Sequence, residues 1–111
     1  MKPFRFHVES IPFPEEVRDT VRGMTGKRKS GYIILINEDL PHDQYKWTLK
    51  HELSHIILGH FDGDEDGETA NAAYLRNILE IETEANNRAA QMTDDELAEL
   101  LKYHIGDEIV I

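Results

Sequence analysis

The segment His51-Glu52-Leu53-Ser54-His55 constrains this chain more than any other. It has the form H-E-x-x-H, and on a helix residues four apart project from nearly the same face, with Cβ atoms roughly 5–6 Å apart. Two imidazoles at that spacing can hold one metal ion, and a glutamate three residues before the second can handle the proton of a water held beside them. The chemistry therefore requires a helix here, and the flanking residues supply one. Leu49, Leu53, Ile56 and Ile57 form an apolar stripe at i, i+4, i+7 and i+8, while Trp47 and Leu58 extend apolar surface to the other side. A helix apolar on both sides is buried, and two buried histidines need partners.

Two histidines do not complete a metal site. The pattern H-E-x-x-H-x-x-G-x-x-H would place glycine and a third histidine at positions held here by Leu58 and Phe61. Gly59 and His60 are displaced by one residue and read as the end of the helix. The remaining common solution is a carboxylate from a later helix. Residues 69–92 contain no proline or glycine and are rich in Ala, Leu, Ile, Glu and Asn, which predicts that second helix. Its expected inner stripe is Leu75, Ile78, Leu79, Glu82, Ala85, Asn86 and Ala89.

Glu82 thus falls within an apolar face, where a lone carboxylate costs on the order of 2–7 kcal/mol or more unless a cation or proton compensates it. A metal ion held by His51 and His55 is such a cation. Glu84, two residues on, groups with Asn77, Glu80, Arg88 and Gln91 on the polar face, where an i, i+4 ion pair between Glu84 and Arg88 is expected. Asn86 lies one turn after Glu82, where its amide can orient a ligand from behind. The small residues Ala85, Ala89 and Ala90 allow the two helices to approach closely.

Residues 32–90 resemble the ImmA/IrrE metallopeptidase family. The matching parts are the strand Tyr32-Ile33-Ile34-Leu35-Ile36-Asn37, the run from His51 to His60, and Glu82-Thr83-Glu84-Ala85-Asn86. The resemblance implies a zinc ion bound by His51, His55 and Glu82, with Glu52 as the general base of peptide hydrolysis. It implies a protein substrate, such as a helix-turn-helix repressor of a mobile element or stress circuit. The competing reading is an antirepressor of the same fold that inactivates its target by binding, with zinc serving structure. Glu52 speaks against that reading, because a purely structural site has no use for a carboxylate beside an open coordination position.

At 111 residues the chain is expected to form a single domain, 1–111. There is no cysteine, which removes disulfides and thiolate ligands and fits a reducing cytoplasm. No segment approaches the ~20 apolar residues of a membrane span, and the N-terminus lacks an apolar leader core. The net charge of −10 opposes direct binding to nucleic acid, and the one basic cluster, residues 22–29, reads as a solvated turn.

Along the chain, Phe4, Phe6 and Val8 alternate with Arg5 and His7 as in a half-buried strand. Pro12 and Pro14 bracket a helix start, with Val17, Val21 and Met24 as its inner stripe and Gly23 and Gly26 ending it. The run 31–36 reads as a strand buried on both faces, either the strand that aligns a substrate by backbone pairing or its immediate neighbour. Asp43 is the expected N-cap of the active-site helix. Residues 62–67 satisfy the first half of a calcium-loop pattern, but Ala73 occupies the position of the bidentate glutamate, so a solvated loop is expected. Thr93 and Glu96 mark the start of a last helix through Leu97, Leu100 and Leu101, ending near Gly106. Tyr103 and His104 are assigned to packing and surface, and residues 109–111 to a final strand or an interface. The expected architecture is α+β and zincin-like, with a short mixed or antiparallel sheet packed against the active-site helix and a second, ligand-bearing helix.

Overall fold

In the computed structural model, which describes residues 4–29, 31–61 and 78–104, the apolar run after Gly31 forms the middle strand of a three-stranded sheet. The strands are β1 (Phe6–Ile11), β2 (Gly23–Arg28) and β3 (Gly31–Asn37), in the spatial order β1-β3-β2. β1 runs parallel to β3, from Phe6 opposite Tyr32 to Ile11 opposite Asn37. β2 is antiparallel to β3, from Gly23 opposite Ile36 to Arg28 opposite Gly31, so the sheet is mixed. Ile34 and Ile36 are fully buried, whereas Ile33 and Leu35 on the other face are half-buried. The strand is therefore sealed tightly on one face only.

Among the described residues three helices follow, α1 (His42–Ile57), α2 (Ile78–Gln91) and α3 (Asp94–Leu100), and a short 3-10 turn (Leu101–Tyr103). α1 lies between the sheet and α2, packed on β2, β3 and α2. The apolar stripe read from the sequence is its inner face: Leu49, Leu53 and Ile56 join Phe6, Ile34 and Ile36 from the sheet and Met92, Leu97 and Leu100 from the C-terminal helices in one core. Each such side chain contributes about 1.5–3 kcal/mol by leaving water. α+β architecture, with α1 and α2 packed together behind a short mixed sheet, is as expected.

The helix expected around residues 14–24 does not form. Hydrogen bonds from Val17 N to Pro14 O and from Val21 N to Val17 O close only a turn, and the chain enters β2 at Gly23. Set among Glu15, Glu16, Arg18 and Asp19, Val17 and Val21 provide too little apolar surface to hold a longer helix on the core. Gly23 is there for close approach rather than as a helix stop: a Cβ on it would lie 2.7 Å from Thr48 Cγ2 of α1 and 3.1 Å from the Leu35 carbonyl oxygen. The basic cluster is likewise not one solvated turn, since Lys27 and Arg28 belong to β2.

α1 begins after Pro41, with no side-chain cap; Asp43 stands inside the first turn, where its charge still suits the positive end of the helix dipole. The helix ends at Leu58. Gly59 takes φ 74°, with Gly59 N donating to Ile56 O and His60 N to His55 O, the paired bonds of a Schellman turn. α2 is rotated slightly from its expected setting. Leu79 is 83 % exposed and Ile78 40 %, while Ala85 and Ala89 are fully buried and Ile81 and Glu82 half-buried. The small alanines permit close contact with α1, and that contact, rather than the two large residues, sets the inward face. Arg88 pairs with Glu96 of α3 and not with Glu84.

Thr93 caps α3 as expected, its Oγ1 accepting from Glu96 N at 3.1 Å. Lys46 and Lys50 of α1 both reach Asp94 at 3.1 Å, tying the start of α3 to α1. The acidic loop 62–67, Leu75 and the tail 109–111 lie outside the described residues. Among the described residues no helix is long and apolar enough to cross a membrane.

Candidate metal centre

The helical spacing of His51 and His55 brings their rings edge to face, with Nε2 atoms 3.2 Å apart. α2 supplies Glu82 directly opposite: Oε2 lies 2.9 Å from His51 Nε2 and Oε1 3.4 Å from His55 Nε2. In a tetrahedral zinc site with bonds of about 2.0–2.2 Å, ligand atoms stand ~3.3–3.5 Å apart, so these three donors fit such a site to within about half an ångström. The closeness of α1 and α2 at Ala85 and Ala89 makes that convergence possible.

Glu52 stands in the same cluster but in a different place. Its ligand-capable oxygen, with one nitrogen each of His51 and His55, falls within a group spanning 4.8 Å. Oε2 is 3.8 Å from His51 Nε2, while Oε1 accepts a hydrogen bond from Thr25 Oγ1 of β2 at 3.1 Å. Glu82 is the carboxylate that straddles both histidines; Glu52 is held aside by the strand. Burial pushes the Glu52 carboxyl above its usual range, the neighbouring His51 and the Thr25 bond oppose this, and Glu82 adds to the rise. A carboxyl shifted in that direction is closer to the working range of a general base at neutral pH.

Burial also pushes His55 down, from 6.5 to about 4; Glu82 opposes the fall, while His51 and His60 add to it. The sign of the linkage follows. Between those values the unfolded chain binds a proton that native His55 does not, so the metal-free protein loses stability as pH falls from 6.5 toward about 4. Glu52 acts in the opposite sense, its raised pKa favouring the native state on acidification. Thermal unfolding of the chelated parent beside His55→Gln separates the two: the parent is expected to lose more stability than the variant across this window. Equal acid sensitivity in both proteins would show that His55 is not held neutral by the fold.

A cavity of ≈ 680 Å³ opens over these groups, walled by β2 (Met24, Thr25), α1 (Trp47, Thr48) and α2 (Ile78, Asn86). The strand beside it is β2, the immediate neighbour of the 31–36 strand. Among the described residues β2 pairs with β3 alone, which leaves its outer edge open next to the site. Asn86 is exposed on the cavity wall one turn after Glu82. Tyr103 and His104 sit at the far edge of the sheet, Tyr103 near Phe4 (ring centroids 6.4 Å apart) and His104 stacked on His7 at 5.9 Å.

Two further residues stand near the site, Thr25 and His60. Thr25 lies within the basic cluster 22–29, where a β-branched residue between Gly23 and Gly26 is the one sequence signal of a strand. The sequence marks His60 only as the residue beyond a helix stop, yet its Nδ1 lies 2.8 Å from His55 Nδ1. The signal is Gly59, since a Schellman turn folds the next residue back over the last helical turn.

A protein-family model described as the IrrE N-terminal-like domain matches residues 4–110, nearly the whole chain. No curated protein and no solved structure matches.

Proposed function

The chain belongs to the IrrE N-terminal-like family of metallopeptidase-like domains, and on that premise we propose that it is a zinc-dependent endopeptidase, with His51, His55 and Glu82 as metal ligands and Glu52 as general base. The observation that carries the assignment is Glu82, whose two oxygens lie 2.9 and 3.4 Å from the Nε2 atoms of His51 and His55. Both histidines must be neutral to bind a metal, a state that the burial of His55 favours. A bound zinc ion supplies Lewis acidity, lowering the pKa of a water it holds and polarising a carbonyl oxygen.

The chain's own residues do the rest. Glu52 takes the proton of the attacking water and passes it to the leaving amine. Thr25 holds one Glu52 oxygen, leaving the other toward the histidines. The outer edge of β2, unpaired among the described residues, offers backbone donors and acceptors with which an extended substrate segment pairs beside the cavity. Asn86 supports the Glu82 side of the site. The substrate class is a protein with an accessible extended segment; a helix-turn-helix repressor of a mobile element or stress circuit fits it.

The test is metal content and metal-dependent cleavage together. The protein purified under metal-replete conditions is expected to carry close to one zinc per chain by elemental analysis. Incubated with helix-turn-helix repressors encoded beside its own gene, it is expected to cleave one of them. Cleavage should stop with a chelator and return with added zinc. A metal-replete preparation without bound metal, or cleavage indifferent to the chelator, removes the proposal.

A further inference from the structure

We infer that His60 is a positioning residue for His55, holding that ring from behind so that its Nε2 stays directed at His51 and Glu82. The inference rests on the metal reading above. It begins with the end of α1, where Gly59 at φ 74° and the bond from His60 N to His55 O fold residue 60 back over the last turn. The His60 side chain is 7 % exposed, and its ring meets the His55 ring at 61° with centroids 5.1 Å apart. The contact is a hydrogen bond between the two Nδ1 atoms at 2.8 Å.

The direction of that bond follows from the chemistry of a ligand histidine. If His55 Nε2 presents its lone pair to a metal, the proton of the neutral ring is on Nδ1, and His55 donates. His60 Nδ1 then accepts, which places the His60 proton on Nε2, 3.5 Å from Glu84 Oε2. The chain His55, His60, Glu84 thus fixes the tautomer of each ring in turn. It also explains why Glu84 turns toward His60 while Arg88 pairs with Glu96. His60 is not itself in the ligand group: it touches His55 at Nδ1, the ring nitrogen on the opposite side from the Nε2 that meets His51. His51 has no such support, its buried Nδ1 lacking a hydrogen-bond partner among the described residues.

The experiment is zinc titration against a chromophoric chelator, with the cobalt(II) absorption spectrum as a second readout, on the parent, His60→Ala, His60→Asn and Glu84→Gln. Outer partners of metal-binding histidines commonly change metal affinity by about 10–100-fold. His60→Ala is expected to lose zinc affinity in that range, to keep one site per chain, and to alter the cobalt band. His60→Asn, whose Oδ1 stands near the place of Nδ1, is expected to recover most of the affinity and the parental band. Glu84→Gln should lose less than His60→Ala. Circular dichroism of the metal-free proteins checks the fold, and His60→Asn keeps the test open if His60→Ala does not fold. Parental affinity and spectrum in His60→Ala overturn the inference, as does equal loss in His60→Ala and His60→Asn. Abolition of the site in both would make His60 a ligand. A parent that binds neither ion overturns the metal reading itself, which separates the two failures.

Discussion

Replacing Glu82 by alanine is expected to lower zinc affinity by more than about 100-fold, the upper range seen when only an outer partner of a ligand is lost. The fold should survive. Glu82 has a half-exposed side chain at 35 % and belongs to no part of the apolar core, which rests on Leu49, Leu53, Ile56 and Met92. The loss should therefore appear as empty protein with a native circular dichroism spectrum. Glu82→Gln is expected to fall between parent and alanine, since it keeps one carbonyl oxygen near the histidines but removes the charge. Glu84→Ala is the control on the same helix and should stay within about tenfold of the parent, because Glu84 reaches the site only through His60. Elemental analysis and competition titration decide the matter. If Glu82→Ala retains zinc as the parent does, the third ligand lies elsewhere and the pairing of α1 with α2 has another purpose.

The legibility of this site in the sequence follows the range of the interactions that build it. His51, Glu52 and His55 lie within one helical turn and a half, so their spacing alone specifies their common face. Glu82 required one more step, the conflict of a carboxylate with an apolar stripe. That step points to a residue that the structure places beside both histidines, although the stripe differs from the expected one: Leu79 points to solvent and Ile81 inward. The rotation of α2 is decided by packing on α1, which periodicity within α2 does not contain. Thr25 and His60 join the site through contacts that the pattern of their own segments does not contain either. Thr25 meets Glu52 only because β2 pairs with β3 and passes close to α1 at Gly23, a contact between residues 27 apart in sequence. The two glycines that signalled a helix end instead mark a strand, because Gly23 serves α1 and not its own segment.

Glu52→Gln is expected to separate catalysis from binding. The substitution changes little in shape, and the amide oxygen can still accept the Thr25 hydroxyl that now bonds Oε1 at 3.1 Å. Zinc should stay bound, because it is Glu82 and not Glu52 that spans the two Nε2 atoms. Fold stability should hold or rise, since burial already disfavours the Glu52 carboxylate and the amide removes that charge. Cleavage should fall by at least about 10²–10⁴-fold, the usual contribution of a positioned general base, with the loss in kcat rather than KM. The same variant distinguishes the peptidase from an antirepressor that works by contact. A peptidase carrying Glu52→Gln binds its target without cutting it and leaves repression intact in cells; a contact regulator carrying it still relieves repression. Relief of repression by Glu52→Gln at the parental level would therefore move the protein out of the hydrolases. Loss of zinc from Glu52→Gln would instead make Glu52 a ligand and exchange its role with that of Glu82.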